Sequence, residues 1–181
     1  MKVATVTLLA LVGAGLASGC SQSPTRTGTT GTTSTAAASS DRGFVADAAS
    51  AGMSEVAMAQ LAMDRARDPD VRAYASHLAQ DHSRSSDKLR VAASQAGVGV
   101  PARLDAEDQA KVDKLSTLSG TAFDRAFLNQ MVADHQETVN DFEREASRGD
   151  SAPLRSYADQ SLPALRQHLA EAQALAHRQG T

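Results

Sequence analysis

The chain has 181 residues, of which 18 are basic and 21 acidic, giving a net charge of −3, and it contains a single cysteine. One cysteine excludes an internal disulfide and a thiolate metal cage. Beyond residue 42, fifteen basic residues face twenty acidic ones, a balance that argues against nucleic acid as a partner and against a polybasic membrane surface.

The first twenty residues, MKVATVTLLALVGAGLASGC, carry one basic residue, a short apolar run and small residues ending at Cys20. That is the pattern of an export signal. The run is too short and too broken by Gly and Ala for a comfortable span of about 20 residues. Leu16-Ala17-Ser18-Gly19-Cys20 resembles the lipobox of bacterial lipoproteins, with Ala17 where Leu is commoner. The resemblance implies a signal peptide over 1–19, a lipidated Cys20 as membrane anchor and, because Ser21 follows rather than Asp, passage to the outer membrane. Residues 20–42 are rich in Ser, Thr, Gly and Ala. They cannot bury enough apolar surface to offset their ordering entropy, so a flexible tether is expected.

Residues 43–178 form one predicted all-α domain, since the segment is rich in Ala, Leu, Gln and Arg and almost free of β-branched runs. A first helix is predicted over 44–67. Asp68-Pro69-Asp70 then supplies an N-cap, a proline at the first helical position and an acidic first turn for a second helix over 69–96. Gly97 stops it, and a short helix near 105–117 occupies a longer connection. A third long helix spans 121–148; Gly149 is read as its C-terminal stop and Asp150 or Ser151 as the cap of a fourth over 152–178. Two tight αα-hairpins joined by a longer connection make a four-helix bundle. A weak internal repeat supports two related hairpins: PDVRAYA opens the second helix and PLRSYA the fourth. Pro163 lies inside the fourth helix and predicts a bend or a restart with Ser161 as cap.

Helical spacing turns three of the five histidines inward. His135 lies in the stripe Leu128, Met131, His135, Val139, Phe142; His82 shares a face with Leu78 and Leu89, and His168 with Leu165, Ala172 and Leu175. On the first helix Glu55 is the acidic member of a face of small residues. Glu55 and His82 stand at matched distances from the first hairpin turn, and His135 and His168 from the second. Four inward groups at one level suit a transition metal such as iron, copper or zinc. A metal-free polar network that fixes helix register is the alternative. Asp81 and Asp134 are turned about 100° from the adjacent histidines, which suits them to orienting a ligand on another helix or to solvation. His77 reads as a surface pair with Asp81, and His177 as a cation in a last turn.

Gly43-Phe44-Val45, Gly52-Met53-Ser54-Glu55-Val56, Asp81-His82-Ser83, Leu118 to Asp124, Met131 to His135 and Leu162 to Leu169 together resemble the bacterial domain of unknown function 4142 family. The resemblance implies a ferritin-like bundle in an exported protein and no established activity. No Glu-x-x-His ligand motif is present, and one inward carboxylate is too few for a carboxylate-bridged di-iron centre. Two expectations follow. One is a membrane-anchored envelope lipoprotein that binds a transition metal in metal handling or stress protection; the other is a non-catalytic envelope interaction module with a metal-free polar core.

Overall fold

The computed structural model describes residues 32–180, with the backbone alone described over 32–39. The predicted signal peptide, Cys20 and the first part of the tether lie outside the described residues. Five helices follow in order: α1 Thr32–Arg65, α2 Pro69–Ala96, α3 Ala106–Ser116, α4 Gly120–Arg148 and α5 Ala152–Arg178. No strand occurs among the described residues. The four long helices match the expected ones to within two residues at every end but one. That exception is the start of α1, because residues 32–42 are helical where a flexible tether was expected. Burial decided whether the segment could hold itself together, yet a packed turn at Phe44 and Val45 already supplies the nucleus. Extending a formed helix through Ala36, Ala37 and Ala38 then adds one hydrogen bond per residue at little cost.

Capping and glycine set the helix ends. Asp68 caps α2 by accepting from the Asp70 backbone N–H at 2.8 Å. Gly97 ends that helix at φ 71°, and Val98 N–H reaches back to the Ala93 carbonyl at 2.9 Å, closing a Schellman-type turn. Gly149 works differently from the expected left-handed stop. Its φ is −58°, and a Cβ there would stand 2.7 Å from the Glu145 carbonyl oxygen, so glycine answers crowding.

The sequence repeat has a physical counterpart. Arg72 donates to the Ala66 and Arg67 carbonyls at 2.6 and 2.9 Å, and Arg155 donates to those of Gly149 and Asp150, both at 2.8 Å. Each arginine thus clamps the turn that precedes its own helix.

Packing closes the bundle as a ring in which α1 touches α2 and α4, and α5 touches α2 and α4. The core falls into two apolar clusters. One, at the α1–α2 turn, holds Met58, Leu78, Phe123, Phe127, Met131 and Leu175; the other, at the α4–α5 turn, holds Phe44, Leu89, Phe142, Leu154 and Tyr157. Both clusters draw on all four long helices. Their membership makes α2 and α4 run the same way, so residues 97–119 must travel the length of the bundle, and α3 rides this crossover against α1 and α4. That is the one-crossover topology of ferritin-like bundles. Helix α5 continues through Pro163, whose side faces solvent. The restart at Ser161 does not occur, and Ser161 Oγ instead donates to the Tyr157 carbonyl at 2.8 Å.

Asp124 on α4 ties the two hairpins together. Its carboxylate, 1 % exposed, accepts the backbone N–H groups of Arg67 and Asp68 at 2.9 and 3.1 Å. Removing it leaves two donors of the α1–α2 turn without an acceptor. Asp124→Ala is expected to destabilise the fold by about 2–3 kcal/mol, read as a lowered denaturation midpoint. A change near zero would mean that water replaces the carboxylate freely.

Candidate metal centre

Between the two apolar clusters lies one polar layer. Each long helix contributes one side chain: Glu55 from α1, His82 from α2, His135 from α4 and His168 from α5, all between 0 and 6 % exposed. On every helix this residue falls after the last member of one cluster and before the first of the other. The matched heights inferred from the hairpin turns therefore bring the four groups together. The three imidazole centroids are 5.3–5.5 Å apart. One nitrogen from each ring lies within 4.8 Å of those of the other two.

The partners of the rings fix what each nitrogen can do. His82 Nδ1 stands 2.8 Å from Glu55 Oε2. His135 Nδ1 is 3.0 Å from the Met131 carbonyl, an acceptor only, so this nitrogen carries the proton; Glu55 Oε1 is 3.4 Å away. His168 Nε2 is 2.9 Å from Asp81 Oδ2. In each neutral ring the proton is thus directed at an oxygen acceptor, and the lone pair is left on the other nitrogen. Those three nitrogens, His82 Nε2, His135 Nε2 and His168 Nδ1, are buried and have no hydrogen-bond partner. Three buried acceptors without a donor are costly unless something electron-poor lies among them.

Glu55 does not stand as a fourth equal. Its carboxylate contacts the protonated sides of His82 and His135, which is how an oxygen acceptor orients a ligand. Asp81 has the expected orienting position, toward a histidine on the adjacent helix. Asp134 does not. It turns to Lys111 on α3 at 3.2 Å and to Gln130 at 2.9 Å, and contacts no histidine. The reason is the crossover: α3 places a lysine against this face of α4, and an ion pair with Asp108 at 2.9 Å holds it there.

Electrostatics follows burial and pairing. Burial alone would push the Glu55 carboxyl up, but His82 and His135 beside it hold it down at about 2. Burial works against charge on His82, and the Glu55 carboxylate outweighs it, raising the imidazole above its ordinary value. For His168 burial prevails over the help of Asp81, so its value falls and the ring stays neutral. Burial also raises Asp134, against the pull of Lys111. Glu55 and Asp134 line a groove of about 580 Å³ that also carries Asp47, Asp105, Asp108 and Asp141. One side of the polar layer therefore faces an acidic approach.

Sequence reasoning missed Lys111, whose place depends on the crossover, and the Tyr74 hydroxyl, which donates to the His168 carbonyl at 3.1 Å. It also treated His77 as a surface pair only. His77 Nε2 is indeed 3.2 Å from Asp81 Oδ2, yet its ring centroid lies 5.6 Å from that of His168. The i,i+4 spacing of His77 and Asp81 on a face adjoining α5 was the available signal.

A family model described as Domain of unknown function (DUF4142) matches residues 27–175. No curated protein matches the chain. Among solved structures, a DUF305 fragment from Deinococcus radiodurans is similar with a TM-score of 0.65 and 19% identity, over 77% of this chain and 96% of that one. An inferred secreted DUF305 protein from Streptomyces coelicolor gives 0.66 and 20%, over 80% and 96%. CopM in its Cu(I)-bound form gives 0.64 and 21%, over 76% and 96%, and the same protein also matches in an Ag-bound form. The structural likeness establishes a shared helical fold.

The polar layer makes stability depend on pH in a defined sense when no metal is bound. Glu55, held below the usual 4.5, contributes stability that is complete above 4.5 and is lost only as pH falls toward about 2. His82, raised above 6.5, contributes below 6.5 and loses its contribution as pH rises through its folded value. His168, lowered from 6.5, contributes above 6.5 and loses its share as pH falls through its folded value. Stability of the chelator-treated protein should therefore peak near 6.5 and decline on both sides, as melting temperatures across that range would register. A profile that climbs steadily through it would contradict the His82–Glu55 pairing.

Proposed function

The chain belongs to the DUF4142 family, and for this member we propose transition-metal binding at the bundle centre, through His82 Nε2, His135 Nε2 and His168 Nδ1. The observation that carries the reading is the trio of buried imidazole nitrogens left without partners while oxygen acceptors hold the opposite nitrogens. Imidazole donors suit copper and zinc, and a site without thiolate is not built for iron–sulfur chemistry. The Cu(I)-bound and Ag-bound forms of CopM, similar in fold, support an ion of the copper class. Glu55 and Asp81 orient His82 and His168 and raise their basicity. Glu55 would keep the Nδ1 proton of His82, leaving the lone pair of Nε2 to hold the ion.

Such a protein would work in the cell envelope, holding a metal ion or buffering it under stress. Cys20 would anchor it to the outer membrane through lipid, with the bundle on the periplasmic side. No helix among the described residues is long and apolar enough to cross a membrane. The chemistry described is binding.

Titration of the purified, chelator-stripped protein with copper and with zinc tests the site. His135→Ala should abolish tight binding and His177→Ala, exposed at the end of α5, should leave it unchanged. Glu55→Gln should weaken it by about 10–100-fold. Equal affinities for all of these, in variants that remain helical by circular dichroism, would remove the polar layer from the function and leave it as a metal-free register device.

The anchor has its own test. Cys20→Ser should move the protein from the membrane fraction to the soluble fraction of the envelope. A wild-type protein found wholly soluble, with a mature first residue other than Cys20, would end the lipoprotein reading.

A further inference from the structure

His168 sits between two groups of ligating atoms. On its inner side are His82 and His135. On its outer side Asp81 Oδ2 lies 2.9 Å from His168 Nε2 and 3.2 Å from His77 Nε2, and the ligating atoms of His77, Asp81 and His168 all fall within 4.8 Å of one another. Exposure grades across the two groups: the His77 side chain is 44% exposed, Asp81 22% and His168 2%. The His77 ring stands edge-on to that of His168, with centroids 5.6 Å apart. Glu171 Oε2 lies 3.8 Å from His77 Nδ1, so a carboxylate borders the outer side of that ring as well. Arg84 pairs with the other oxygen of Asp81, Oδ1, so Oδ2 stays turned to the two imidazoles.

We propose that His77, Asp81 and His168 form an outer, solvent-reachable cation site that captures a divalent transition-metal ion and passes it to the buried His82–His135–His168 centre, the two sites sharing His168. The proposal rests on metal binding at that inner centre. Two imidazoles and one carboxylate on an open face suit a borderline divalent cation that keeps waters in its remaining positions.

The sharing has a chemical consequence. A neutral imidazole has one proton and one lone pair. With the ion outside, the lone pair is on Nε2 and the proton on Nδ1. With the ion inside, the lone pair is on Nδ1, and Nε2–H donates to Asp81 Oδ2. Transfer therefore releases a proton from Nδ1, places one on Nε2 against Asp81, and leaves the ring neutral throughout. The two sites compete for a single lone pair, so one ion per chain is the limit, and filling the inner site weakens the outer one. His77 then matters for how fast the ion arrives and hardly at all for how tightly it is finally held.

Cobalt(II), whose visible absorption is weak in a hydrated six-coordinate site and strong in an enclosed four-coordinate one, is the probe. Wild-type protein mixed rapidly with cobalt(II) should bind one ion per chain, with strong absorption developing after the ion is taken up. His77→Ala, an exposed change that leaves the inner ligands in place, should slow that development by about tenfold or more while the final affinity stays within about twofold. His177→Ala should behave as wild type. Equal rates for wild type and His77→Ala would overturn the proposal and leave the acidic groove as the route. Two ions per chain would also overturn it, because the histidine would then be bridging. No strong absorption in the wild type would remove the inner site itself, and the relay with it. Strong absorption lost in His135→Ala but not slowed in His77→Ala would sink the relay alone.

Discussion

A polar layer that divides the hydrophobic core is the constraint on which the rest of this bundle depends. Three imidazoles and a carboxylate meet at mid-height with no more than 6 % exposure, and apolar clusters close above and below them. Such a layer is tolerable only if every helix is held at one height, because a shift by a turn would set a charged or hydrogen-bonding group against hydrocarbon. The hairpin devices serve that end. The Arg72 and Arg155 clamps fix each turn, and Asp124 fixes one hairpin against the other. The core specifies register through its polar groups, while the flanking clusters supply the apolar burial.

The layer is also asymmetric in a chemically useful way. Each imidazole has an oxygen acceptor on one nitrogen and nothing on the other. Glu55 serves two rings, Asp81 one, and a backbone carbonyl completes the set. The acceptors engage one nitrogen of each ring, and the unpartnered nitrogens are what remains. A network meant only to satisfy itself would pair those nitrogens with donors, and many donors are to hand in a chain rich in Ser, Gln and Arg. None is placed there. Surrounding charge points the same way: the groove beside Glu55 and Asp134 is strongly acidic, and burial with like-charged neighbours, Asp141 first, raises the Asp47 carboxyl. The basic residues lining the groove are Lys111, engaged with Asp108 and Asp134, Arg144, paired with Asp141, and Arg148.

Much of this was legible in the sequence. Capping residues and glycines located the helix ends, because Asp68-Pro69 and Gly97 act through their own backbone geometry within a few residues. The 3.6-residue period put His82, His135 and His168 on inward faces, and counting from the turns placed them at one level. Local reasoning failed where a distant segment decided. Asp134 occupies the position beside His135 that Asp81 occupies beside His82, yet one meets Lys111 and the other His168. Nothing within a few residues of either could distinguish them. The helical start of α1 was missed because composition describes a free segment, whereas this one continues a helix already packed at Phe44.

The sequence by itself determined the helices, the hairpins and the four inward groups, since each follows from propensity, capping and periodicity over a turn or two of chain. Tertiary structure alone decided which nitrogen of each histidine is left open, because that depends on acceptors supplied by other helices or, for His135, on a ring orientation set by packing. It decided as well that His168 lies between the buried His82 and His135 on one side and the partly exposed Asp81 and His77 on the other. That juxtaposition arises where α2 meets α5, residues 91 apart in the chain for His77 and His168. No local pattern encodes a contact of that span; only the closing of the bundle brings its two sides within bonding reach.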